Sequence, residues 1–143
     1  MERLLNKDYL LNYLTNTARH MALMPFIYIM VFPLIFFDFF LEIYHHACFP
    51  LYKLPTINRV EYIKIDRHKL KYLNVLEKLN CVYCGYANGL IHYASAIGAE
   101  TEKYWCAIKH KKSKNFKEPS HHKDFIEYGD EKAFRKIKKD EML

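Results

Sequence analysis

From Met21 to Phe37 the chain runs for seventeen residues without a formal charge, Met-Ala-Leu-Met-Pro-Phe-Ile-Tyr-Ile-Met-Val-Phe-Pro-Leu-Ile-Phe-Phe. As a helix this run covers about 25 Å, slightly short of a hydrocarbon core of about 30 Å. After Asp38 it resumes with Phe39, Phe40 and Leu41, and extension to Tyr44 closes the gap. The remaining chain offers too little apolar surface to enclose so aromatic a segment, so the pattern predicts a transmembrane helix over 21–47. Pro33, in mid-run, predicts a kink, while Pro25 falls where a first helical turn tolerates proline.

Leu4, Leu5, Leu11, Leu14 and Ala18 alternate with Asn, Lys, Asp and Arg, which predicts an amphipathic, interfacial helix over 1–20. No small-x-small cleavage site closes the apolar run, so it is expected to stay in the mature protein. Formal net charge is +6. Residues 53–143 carry 19 basic and 12 acidic side chains, against none and 2 in residues 21–52, so the whole excess follows the apolar run. Basic residues concentrated just after a span predict a cytoplasmic C-terminal part.

The four cysteines do not form a secreted disulfide pattern. Cys81 and Cys84 make a Cys-x-x-Cys pair, Cys106 and His110 a Cys-x-x-x-His pair, and Cys48 stands alone. Two soft-ligand pairs at that separation fit a closed tetrahedral zinc site of Cys81, Cys84, Cys106 and His110. A closed site is structural, worth on the order of 10 kcal/mol or more of apparent folding free energy. An iron–sulfur cluster completed by Cys48 or His110, or a redox-active Cys-x-x-Cys, are the alternatives.

A second constellation, Asp38, Glu42, His45 and His46, falls on one face at the end of the run. Glu42-x-x-His45 has the spacing of carboxylate-bridged di-iron helices, and Glu118-Pro-Ser-His121-His122 repeats it, although Pro119 argues for a loop. The plainer expectation is a polar face that ends the span, with carboxylates and imidazoles reaching headgroups and water. The run Lys109 to Lys117 admits a nucleic-acid binder as a further alternative. No phosphate loop or nucleophile elbow is present.

Between these features, Phe49-Pro50-Leu51 and Leu54-Pro55 predict a linker over 48–58, and Arg59–Ile65 predicts a short strand. Asp66 is expected to cap a helix with Leu70, Leu73, Leu76 and Leu79 as its ridge. Gly85 and Asn88-Gly89 are expected to break it before a further helix over about 89–104. A charged helix should start near Asp130, within a basic metal-stabilised domain over 59–143.

The blocks Asp66-Arg67-His68, Glu77-Lys78-Leu79-Asn80-Cys81-Val82-Tyr83-Cys84 and Tyr104-Trp105-Cys106-Ala107-Ile108-Lys109-His110 resemble a group of small uncharacterised bacterial membrane-associated proteins. The resemblance covers roughly residues 20–130. In that group a proline often follows the third cysteine, where this chain has Ala107. It implies one architecture joining the apolar segment to the cysteine block, and no activity. The expectation is therefore a mainly α protein of the bacterial inner membrane: an amphipathic helix, one kinked span, and a small cytoplasmic domain with one short strand. Its role is expected to be a zinc-stabilised module that meets the lipid bilayer and a protein partner. A membrane redox protein with an iron centre is the enzymatic alternative.

Overall fold

The computed structural model describes residues 7–140. Its helices are α1 (Lys7–Ile29), α2 (Val31–Leu51), α3 (Arg59–Tyr62), α4 (Val75–Trp105) and α5 (Glu131–Asp140), with 3-10 turns at Arg67–Lys69 and Ser120–Asp124. The described chain divides into two compact units, one ending at Ile91 and the other starting at His92.

α1 and α2 follow one another with only Met30 between, itself in a right-handed helical conformation (φ −65°, ψ −15°). Pro33 explains the break at that point. It has no N–H to donate to the carbonyl of Ile29, four residues earlier, and its ring crowds that carbonyl. Met30 N–H instead reaches back to Ile27 O at 3.3 Å, a tighter turn. Pro25 lies inside α1 and not in a first turn, and Pro50 lies inside α2, so the exit from the apolar helix is later than expected. The interfacial helix and the apolar run are not separate elements: α1 is continuous across residues 20 and 21. The segment before Lys7, with Leu4 and Leu5, lies outside the described residues, as do the side chains of Leu11 and Leu14.

The stretch Met21–Leu51 is long and apolar enough to cross a membrane, with mean hydropathy 2.1 and none of its most apolar window buried. Its two faces differ. Met24, Tyr28, Val31, Leu34, Asp38 and Glu42 are half-buried, and His45 and Phe49 are buried, at spacings of three and four residues. On the opposite side Phe26, Ile29, Phe32, Phe36, Phe40 and Ile43 are exposed.

The covered face is held by polar contacts. Arg59 donates from Nη1 to Asp38 Oδ1 at 2.5 Å and from Nη2 to Asp38 Oδ2 at 2.6 Å. Nη1 also reaches Glu42 Oε1 at 2.7 Å. Tyr86 OH donates to Asp38 Oδ2 at 2.8 Å, Ile57 N–H to His45 Nε2 at 3.0 Å, and Tyr28 OH to Asn80 Oδ1 at 2.5 Å. The carboxylates of the apolar helix thus turn into the protein and not to headgroups and water. The hydrogen bonds to Asp38 raise the affinity of Arg59 for its proton. Burial, reinforced by Asp38, pushes the Tyr86 phenol up to about 12.

Residues 59–65 do not form the expected strand. Arg59–Tyr62 is one helical turn, opened by Asn58, whose Oδ1 accepts from Val60 N–H at 3.3 Å. Asp66 gives no side-chain cap. α4 starts later, at Val75, behind a reciprocal capping box: Glu77 N–H donates to Asn74 Oδ1 at 2.9 Å and Asn74 N–H to Glu77 Oε2 at 2.8 Å. Leu76 and Leu79 of the expected ridge are exposed.

α4 then runs for 31 residues, straight through Gly85 and Gly89. They serve close approach and not chain reversal. A Cβ at Gly89 would stand 2.8 Å from Ile63 Cα and from Tyr62 O, and one at Gly85 would stand 3.0 Å from Lys64 O. Residues 62–65 therefore lie directly against the backbone of α4, beside buried Ala87 and Leu90. α5 begins as expected, with Asp130 Oδ1 accepting from Ala133 N–H at 3.0 Å.

Three substitutions have expected outcomes in thermal unfolding. Gly98 has nothing within 4 Å of a Cβ, so Gly98→Ala should stabilise by up to about 1 kcal/mol, the helix-propensity difference. Gly89→Ala gains the same propensity yet meets backbone atoms, and should destabilise. Arg59→Met leaves Asp38 and Glu42 uncompensated at 15% and 30% exposure. It should cost roughly 2 kcal/mol, between the values for exposed and buried pairs.

Candidate metal centre

The end of α4 is shaped by Ala107, whose φ of 46° places it in the left-handed region. Cys106 and Ala107 N–H both point back to Glu102 O, at 2.9 and 3.1 Å, and satisfy an end carbonyl of the helix. The chain then turns so that Lys109 N–H meets Ile126 O at 2.8 Å and Ile126 N–H meets Ala107 O at 2.9 Å. This parallel bridge between Ile108 and Ile126 is the sole β pairing among the described residues. Lys109 Nζ adds an ion pair to Glu127 at 2.6 Å, which raises the lysine and lowers the carboxyl from their usual ranges.

Through that bridge the 3-10 turn Ser120–Asp124 is brought to Glu102. Pro119 sets its entry (φ −61°, ψ 146°), and its ends are closed by His122 N–H to Pro119 O at 3.1 Å and Phe125 N–H to His122 O at 3.0 Å. The tight turn aims two consecutive imidazoles at one carboxylate. His121 Nε2 lies 2.8 Å from Glu102 Oε2, and His122 Nε2 lies 3.1 Å from Glu102 Oε1. His110 Nε2 stands 4.0 Å from the same Oε1, with its ring 5.7 Å from that of His122.

His122 anchors the cluster. It is 1% exposed, stacks on buried Phe125 at 4.8 Å, and its Nδ1 is buried without a hydrogen-bond partner. Glu102 and His121 are about 30% exposed and His110 is open, so the cluster has a closed back and an accessible front. Hydrogen bonding to His121, then to His122, holds the Glu102 carboxyl below its usual range despite some desolvation.

Among the described residues, two groups of three place one candidate ligand atom each within 4.8 Å of one another: Glu102, His121 and His122, and Glu42, His45 and His46. Donors bound at about 2.1 Å to one ion stand about 3.0–3.4 Å apart, close to the 2.8 and 3.1 Å contacts around Glu102. Without metal these contacts are hydrogen bonds. The second group is committed elsewhere: His45 accepts from Ile57 N–H, and Glu42 from Arg59.

Cys81 and Cys84 sit on α4 in the first unit, Cys106 and His110 in the second, and no group of metal-capable side chains among the described residues includes a cysteine. All four cysteines are free, Cys84 and Cys106 exposed, Cys48 and Cys81 half-buried. His110 alone of the set stands at the new cluster. Sequence reasoning missed Glu102 and its pairing with His121 and His122, because Glu118 carries the recognisable spacing. The available signal was three histidines within thirteen residues, beside a helix whose run from Leu79 to Ala99 has no carboxylate.

The depressed carboxyl of Glu102 sets a pH signature for chelator-treated protein. Its contribution is complete above the usual value of 4.5 and is lost as pH falls through the lower native value. Chemical unfolding should therefore show an acid-side loss of stability that is smaller in Glu102→Gln. No known family model, curated protein or solved structure matches this chain.

Proposed function

We propose that the chain is a membrane-anchored, metal-stabilised accessory module, held at the bacterial inner membrane by the helix Met21–Leu51, with its C-terminal part cytoplasmic. The observation that carries the metal reading is the convergence of His121 and His122, with His110 beside them, on the Glu102 carboxylate. Nitrogen and oxygen donors of this kind suit zinc, and His110, 4.0 Å from Glu102 Oε1, stands beside them as a fourth donor.

The metal's role in this reading is structural. Unit two has a small core, with Tyr93, Ile97 and Phe125 buried, and an ion that ties α4 to the 120–124 turn stabilises it in the way small metallo-domains use. Lys53 and the basic residues that follow the apolar helix support the cytoplasmic orientation. Exposed Tyr104, Trp105 and Phe116 supply the aromatic side chains that protein partners bury.

A redox reading is favoured by one observation. Two imidazoles and one carboxylate, with an accessible front, leave coordination positions open, as non-haem iron centres do.

Elemental analysis and a visible spectrum of anaerobically purified full chain decide between them. One zinc per chain and no visible band are expected, with metal retained by Cys84→Ser and lost from Glu102→Gln/His121→Ala. Iron with visible absorption selects the redox reading. Metal lost from Cys84→Ser, or absent from the wild type, rejects this centre.

A further inference from the structure

The apolar helix is half-buried along one side from Tyr28 to His45, and the segment that touches it there carries many charged residues. Tyr28 contacts Asn80 and Tyr83, Asp38 contacts Arg59 and Tyr86, Glu42 contacts Arg59, and His45 contacts Ile57. From Tyr28 to His45 is about 26 Å along the axis, most of a hydrocarbon core. The chain that makes these contacts, residues 57–86, includes Glu61, Lys64, Asp66, Arg67, Lys69 and Lys71. Several of these point to solvent, with Lys64 81% and Asp66 51% exposed. The covering segment at 63–66 and 70–74 is also irregular backbone.

A perpendicular span would carry this charged, irregular chain through the hydrocarbon beside it. Lipid-exposed irregular backbone does not occur there, and ionisable side chains at that depth are paired or face a cavity. The opposite side of the same helix has the reverse character: Phe26, Ile29, Phe32, Phe36, Phe40 and Ile43 form a continuous exposed apolar stripe.

We infer that α1–α2 lies in the plane of the membrane surface, with this stripe sunk into the acyl boundary and the covering chain in water, as a monotopic anchor. The inference rests on the membrane-anchored reading above and specifies how that anchor engages lipid. It accounts for the unusual composition of the helix. A free-standing interfacial helix has a polar face because water covers it. Here protein covers that face, so Met24, Val31, Leu34 and Phe49 stand where polar residues otherwise would, and the helix reads as a span. Lys53, Lys64, Arg67, Lys69 and Lys71 beside the helix match anionic headgroups.

The test uses the full chain in sealed membrane vesicles from producing cells, treated with a membrane-impermeant amine reagent. Modification is read by mass spectrometry at Lys7, before the apolar helix, and at Lys53, after it. An in-plane helix leaves both on one side: both are modified in inside-out vesicles and both protected in right-side-out ones. Modification in opposite preparations shows a crossing helix and overturns the inference while leaving the membrane anchor standing. In a second measurement, Phe36→Asp/Phe40→Asp should weaken flotation with anionic phospholipid vesicles at least tenfold while keeping its helical circular dichroism. Unchanged flotation overturns the inference. A wild-type chain that does not float overturns both readings, and sedimentation as a dimer then assigns the stripe to a second copy of this chain.

Discussion

Two carboxylates four residues apart in an otherwise apolar helix are the constraint around which the first unit is arranged. Asp38 and Glu42 need a counter-charge held at short range, because their surroundings provide little water. A guanidinium meets that need better than an ammonium: its fork engages both oxygens of Asp38 and still has a proton for Glu42. Once Arg59 is fixed, the chain on either side of it is fixed as well. Asn58 starts a single helical turn, Ile57 N–H finds His45, and residues 62–65 are pressed against α4 so closely that only glycine fits at 89. Tyr86 then closes the cluster from the helix behind.

Much of this was legible from the sequence in outline. The helical character of the chain, the apolar run, the disturbance near Pro33 and the start of the last helix at Asp130 all follow from local chemistry. What failed was the reading of glycine. Gly85 and Asn88-Gly89 carry the residue types that end helices, and nothing local distinguishes a glycine that permits a turn from one that permits a neighbouring backbone. The β-rich stretch Arg59–Ile65 misled in the same way, because Arg59 is committed to Asp38, twenty-one residues earlier. Both errors arise from contacts that propensity does not register.

The candidate centre was half legible. His110 was identified for its spacing from Cys106, yet the partner that matters is Glu102, one turn before that cysteine, with His121 and His122 returned to it by the bridge between Ile108 and Ile126. The cysteines carry the most recognisable spacing, yet no group of metal-capable side chains among the described residues includes one of them. Two His–Glu groups of similar composition differ in how their polar atoms are satisfied. In one, the polar atoms are satisfied by Arg59 and a backbone amide. In the other, three imidazoles share one carboxylate and a buried ring nitrogen is left over.

The order in which the ion cluster is assembled matters during synthesis. Asp38 and Glu42 are made before their partner Arg59, and well before Tyr86. At translation rates of about 5–20 residues per second, Asp38 is polymerised roughly one to four seconds ahead of the guanidinium that compensates it. A nascent chain in that state combines strong hydrophobicity with a charge that resists burial. The charged side of the helix can be covered only once the downstream segment carrying Arg59 and Tyr86 has been made.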